Sequence, residues 1–174
     1  MDAGKDHEHG SQTKEEDVMP KAAARRRVLR GTIQSADYKK IQLDNMDVSD
    51  GWMVTKFEVC SSASQQGIPN VAIGTLCTEE PNLTTWAVPG SWNFSESRQM
   101  GWARFAVLTA ADESGAYSLV DSNNIIIQDL YIVAFLRNEA TDELMNYYIE
   151  LERITFPRTT GIMAMVQNRG QDLD

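Results

Sequence analysis

From Val28 to Ile154 the chain is written in short β-branched and aromatic runs separated by turn residues. The runs are Val28–Gln34, Lys39–Asp44, Trp52–Cys60, Val71–Cys77, Gln99–Leu108, Ala116–Val120, Asn124–Leu136 and Met145–Ile154. About eight such runs, with no convincing helix between them, predict an all-β fold: a sandwich, a jelly roll or a barrel. No repeat period of the propeller or solenoid kind is present.

The runs also say which faces are buried. In Trp52–Cys60 a period of two places Met53, Thr55, Phe57 and Val59 on one face and Lys56 and Glu58 on the other. In Met145–Ile154 the same period turns Tyr147, Ile149 and Leu151 inward and Tyr148, Glu150 and Glu152 outward. The stretch from Ile125 to Leu136 is apolar on both faces, apart from Gln128 and Asp129. It reads as a long central strand covered on both sides, bent near those two residues, with Ile132 and Phe135 buried. The polar linker 137–143 is short enough for a hairpin, which predicts that this strand and Met145–Ile154 are antiparallel partners. Near the C-terminus, Thr159 and Thr160 precede Ile162, Met163 and Val166, a spacing that favours a short helical turn over one more strand.

Residues 1–27 have a different composition, with almost no large apolar side chains. Such a segment cannot offset the entropy of its own ordering, and it reads as a disordered charged arm on a β domain spanning 28–174. Charge is divided unevenly. Residues 1–20 carry −4, and residues 21–30 carry +5 from Lys21, Arg25, Arg26, Arg27 and Arg30. The remainder carries −10. An acidic body is a poor surface for polyphosphate, so only the short basic stretch offers a weak, salt-sensitive nucleic-acid contact. The plainer reading is that these arginines precede the first strand and face acidic groups on their own or a neighbouring subunit.

The only histidines, His7 and His9, lie in the leader. A body without histidine argues against Ser-His or Cys-His nucleophilic catalysis and against histidine-based metal sites. The tract Asp6-His7-Glu8-His9 resembles a metal-binding composition but has nothing nearby to supply a rigid second shell. No phosphate-cradling glycine loop and no Gly-x-Ser-x-Gly elbow occurs, and no spacing singles out a carboxylate pair for acid-base work. The expectation is a non-enzyme with no catalytic residue, no metal and no cofactor. Cys60 and Cys77 each close a predicted strand, and buried reduced thiols fit them better than a bridge. No run is long enough to span a membrane, and the N-terminus is too polar for a signal peptide. The triplets beginning at Asn82 and Asn93 match the glycosylation pattern without a secretory context.

The connection Thr78–Arg98 carries Trp86, Trp92 and Phe94 among small polar residues, and Trp102 follows. Aromatic rings in a polar loop can stack on sugar rings or anchor a protein interface. Alternatively, they cap the open end of the sandwich.

The stretches Ala72–Leu76, Trp92-Asn93, Arg98–Ala103, Tyr117–Tyr131 and Asn146–Glu152 resemble small β-rich virion structural proteins of uncultured marine viruses, of the single jelly-roll capsid type. The similarity covers roughly residues 28–170. It implies an antiparallel β-sandwich, a jelly roll of about eight strands, in a capsid, decoration or spike-type subunit. Such a subunit acts in the virion by homo-oligomeric assembly with itself and other virion proteins, and no active-site residue carries over. The chain departs from that pattern in lacking a strongly basic arm. A carbohydrate- or receptor-binding module, with a glycan as partner of the aromatic loop, is the competing reading. Deleting residues 1–24 is expected to leave the melting temperature within a few degrees, as followed by circular dichroism.

Overall fold

The computed structural model describes residues 26–43, 49–62, 69–107, 115–138, 144–155 and 157. The His7/His9 tract, Lys21, Arg25 and the segment from Thr159 to Val166 lie outside them. Eight strands are present: β1 (Arg26–Gln34), β2 (Asp37–Gln42), β3 (Asp50–Ser61), β4 (Asn70–Cys77), β5 (Gln99–Val107), β6 (Gly115–Val120), β7 (Asp129–Asn138) and β8 (Leu144–Thr155). They form an antiparallel β-sandwich of a three-stranded sheet, β1-β8-β3, and a five-stranded sheet, β2-β7-β4-β5-β6. Arg26 and Arg27, read from sequence as the end of the arm, are the first two residues of β1.

The pairing is nested. First pairs with last (β1–β8), second with seventh (β2–β7), and fourth with fifth (β4–β5). Each of these strands except β5 has a partner distant in sequence, β4 pairing with β7 on its other edge, and this overturns the expected hairpin of β7 with β8. Both edges of β8 are taken by β1 and β3, and both edges of β7 by β2 and β4. The short linker instead steps from one sheet to the other, a gap of about 10 Å that a few residues can cross.

The core lies between the sheets. Leu130, Ile132 and Ala134 of β7 meet Ile149 and Leu151 of β8, Phe57 of β3, and Leu76 of β4, all with essentially no exposure. The inward set expected for β8, Tyr147, Ile149 and Leu151, is buried as the period of two requires. The phase expected for β3 holds only in its second half. Phe57 and Val59 are buried, but so is Val54, while Thr55 is exposed and Met53 half-buried. A bulge between Val54 and Lys56 inserts one residue and moves the buried face from even to odd positions. Asn124 holds it there. Its Oδ1 accepts from Val54 N–H at 2.9 Å, and its Nδ2 donates to Val54 C=O and Asp121 C=O. Two residues on, Trp52 and Ile126 exchange both backbone hydrogen bonds at 2.8 Å, so the chain entering β7 is stapled to the free edge of β3. The expected bend falls at Ile127-Gln128, and β7 begins at Asp129.

β7 is covered on both faces, as its composition requires, but by different material. Tyr131 and Val133 point away from the sandwich core into a second apolar cluster with Cys77, Ala87, Leu83 and Trp86. Phe135 shares that outer face and is only half-buried, which corrects the expectation of a core phenylalanine. Ile132→Ala is therefore expected to cost roughly 2–5 kcal/mol, and Phe135→Ala distinctly less, in urea unfolding. The opposite order would mean that the two faces of β7 are exchanged.

Candidate functional site

The connection between β4 and β5 is the one part of the described chain that folds onto the sandwich from outside. Its ends meet where Thr78 N–H donates to Arg98 C=O at 3.0 Å, so it leaves and rejoins the β4–β5 ladder as a closed loop. Two turns shape it. Asn82 Oδ1 accepts from the N–H and hydroxyl of Thr84, and Asn93 Oδ1 accepts from Ser95 N–H. The two sequon-like triplets therefore act as Asx turns that set the loop's course. Glu96 and Arg98 form a two-pronged ion pair at 2.7 and 2.9 Å. The Arg98 guanidinium holds the Glu96 carboxyl below its ordinary value and also lies over the Trp86 ring, 4.2 Å from its centre.

Gln99, 4% exposed at the start of β5, fastens the loop. Its Nε2 donates to Trp86 C=O at 2.7 Å, and its Oε1 accepts from Asn93 N–H at 3.1 Å and from Trp102 Nε1 at 2.9 Å. One amide thus joins two points of the loop to the sheet.

The structure divides the four aromatic residues singled out in the sequence. Trp92, Phe94 and Trp102 join Tyr117 of β6 in a chain of rings, with centres 5.5 Å apart for Trp92–Tyr117, 6.3 Å for Trp92–Phe94 and 4.7 Å for Phe94–Trp102. Trp86 is separate and packs over Cys77 and Tyr131. The loop does not cap the end of the sandwich. It packs on the outer face of the five-stranded sheet, over Cys77 of β4 and Tyr131, Val133 and Phe135 of β7. Trp102 is a buried strand residue, 5% exposed, that forms the base of the ring chain.

Beyond the loop the same outer face is open. Cross-strand register aligns Tyr117, Arg104, Ile73 and Phe135 in one row, and Val71 and Arg137 in the next. The result is a cleft of about 440 Å³ with Val71, Ile73 and Phe135 as floor and Gly90 and Trp92 as the loop-side wall. Arg104 and Arg137 also line it, and among the described residues no carboxylate does. Gly90 is required where it stands. Its φ is +79°, and a Cβ there would lie 2.7 Å from the Phe135 ring.

The basic stretch is placed elsewhere. Arg26 and Arg30 alternate with core-facing Leu29 and so lie on the outer face of the three-stranded sheet. Arg26 is opposite Glu152 of β8, and Val28 between them is opposite Glu150. Lys56 of β3 completes the Glu150 row, Met53 the Glu152 row, and Glu58 stands in the Arg30–Tyr148 row. Arg27 takes the other side of the strand by alternation. Of the basic residues of β1, Arg26 therefore stands opposite a carboxylate of its own sheet and Arg30 opposite Tyr148. Cys60 and Cys77 are both free and sit in different sheets, and burial pushes the Cys77 thiol up to about 12.

Gln99, Arg104, Arg137, Tyr117 and Leu119 were not visible as site residues in the sequence. For Arg104 the signal was available, since it alternates with Trp102 along β5. For Gln99 there was none.

The chain matches no protein-family model and no curated protein. Among the described residues no group of three or more acidic, Cys or His side chains is placed to hold a metal ion, and no helix is long and apolar enough to cross a membrane.

Gln99→Leu removes the acceptor of two N–H groups and is expected to cost roughly 1–3 kcal/mol, read from urea unfolding with Trp fluorescence. Adding Trp102→Phe deletes one of the stranded donors, so the double variant should lose less than the sum of the singles. Strict additivity would show that the amide is not what holds the loop.

Proposed function

We propose that this chain is a non-enzymatic structural subunit of a virion, of capsid, decoration or spike type, which works by associating edge to edge with copies of itself through β6. Fold alone does not carry that reading, since sandwiches of this kind serve as capsid and lectin domains alike. The nested pairing is how a jelly roll winds, and it agrees with the resemblance to single jelly-roll virion proteins. The third nested pair, β3 with β6, is not a ladder here. Ser118 Oγ donates to Phe57 C=O at 2.5 Å, and next to that contact the strands part around a cavity of about 550 Å³ bordered by Cys60, Phe105 and Tyr147.

The observation that carries the proposal is the state of the sheet edges. Soluble β proteins blunt exposed edges with charge, proline or bulges. Three of the four edge strands follow that rule: β1 has three arginines, β2 has Asp37, Lys39 and Lys40, and β3 has its bulge with Lys56 and Glu58. The fourth does not. β6 reads Gly-Ala-Tyr-Ser-Leu-Val, uncharged and exposed along nearly its whole length, and pairs on one side only among the described residues. Its own Tyr117 and Leu119 are 47% and 43% exposed, and Phe94 of the loop is 59% exposed. Two copies meeting antiparallel at this edge would make an isologous contact and bury those apolar side chains.

Mass photometry and negative-stain microscopy of the purified chain test this. The wild type should form defined oligomers as concentration rises. Leu119→Lys puts a charge on the edge without touching the core, and should hold the chain monomeric at an unchanged melting temperature. A wild type that stays monomeric at high concentration, or a Leu119→Lys variant that assembles as well as the wild type, overturns the proposal.

A further inference from the structure

We infer that the cleft between Arg104 and Arg137 is a binding site for an anionic saccharide, a ligand whose sugar rings carry carboxylate or sulfate groups. The site does not depend on association through β6.

Charge is the first observation. Outside the leader and the short basic stretch the chain carries −10, and several of its cations are already committed: Lys40 to Asp129, Lys56 to Glu58, Arg98 to Glu96 and Arg153 to Asp50. Arg104 and Arg137 make no ion pair among the described residues, and they line one cleft to which no described carboxylate contributes; Arg104 also borders the cavity of about 550 Å³, where Glu58 is the described carboxylate. Two exposed guanidinium groups in an acidic protein, held on neighbouring rows of a rigid sheet, form a local positive site for a ligand that brings its own negative charge.

Shape is the second. The cleft floor is apolar, and its sides include the half-buried rings of Trp92 and Phe135, which suit the C–H face of a pyranose. Trp92 also carries an indole N–H that is buried and lacks an acceptor among the described residues, and a hydroxyl-rich ligand is the kind that supplies acceptors. A volume of about 440 Å³ lies in the range of small-ligand sites.

Spacing is the third. Arg104 and Arg137 stand on either side of β4 and one row apart, so their Cα atoms are separated by about 12 Å from strand spacing and rise alone. That separation is of the order of two sugar units, so it suits one charge per disaccharide. The closely crowded charges of a polyphosphate match that spacing less well.

Isothermal titration calorimetry at low salt on the full chain tests the site with four probes: a hyaluronan tetrasaccharide (carboxylates only), a heparin tetrasaccharide (sulfated), neutral maltotetraose, and ATP. An acidic tetrasaccharide should bind at least roughly tenfold more tightly than maltotetraose, and the better of the two identifies the anionic group. Arg104→Gln and Arg137→Gln should each weaken binding roughly tenfold at an unchanged melting temperature, as expected for loss of a charge-assisted contact. The Arg26→Gln/Arg30→Gln pair, on the opposite sheet, removes twice the charge of either single variant and should leave binding intact. Equal binding of maltotetraose, tighter binding of ATP, an equal loss in the Arg26/Arg30 variant, or no binding of either acidic probe would each overturn the inference.

Discussion

A single buried amide organises the outer face of this sandwich. Gln99 must be donor and acceptor at once, giving a hydrogen to the Trp86 carbonyl and taking two from the Asn93 backbone and the Trp102 indole. In a low-dielectric position such a network is either complete or expensive, so the loop has one docked arrangement. Everything outside the five-stranded sheet follows from it. Trp86 is set over Cys77 and Tyr131, Trp92 is set as the wall of a cleft, and Phe94 is brought over Trp102. The Glu96–Arg98 pair and the two Asx turns keep the loop's own shape, but Gln99 is what joins that shape to the sheet.

A second amide plays the corresponding part inside. Asn124 offers Val54 the N–H acceptor and C=O donor that a neighbouring strand would have offered. The bulge at Thr55 is thereby satisfied, and the buried face of β3 changes parity half-way along. Alternation read from Trp52 to Cys60 located the second half of the strand correctly and the first half out of phase. A bulge leaves no mark in hydrophobic periodicity, because its cause is a side chain some seventy residues away.

The fold was legible to the level of elements. All eight runs became strands, the two faces of β8 fell as alternation required, and the double apolar face of β7 was met by two covers. Pairing was less legible. A short polar linker between β7 and β8 looks like a hairpin, but local closure is outweighed when both edges of each strand are filled by partners far away in sequence. The site was legible in part. The aromatic residues advertised the loop, and three of the four do meet, while Phe135 was assigned to the core because composition does not distinguish the two apolar faces of one strand. Arg104 and Arg137 converge only through the register of three strands, which no local pattern encodes.

The closed base of the β4–β5 loop has a consequence for how such a protein can vary. Thr78 and Arg98 are already hydrogen-bonded neighbours, so the ladder beneath is indifferent to what the chain does between them. Lengthening a loop whose ends are fixed adds entropy only logarithmically. Sequence between these two residues can therefore drift, expand or be exchanged while the strands, their register and the arginines beneath stay in place. The molecule separates a fixed scaffold from its cover, and a change of binding preference would require rewriting loop residues that keep a carbonyl and an N–H on the Gln99 amide, with no repacking of the core.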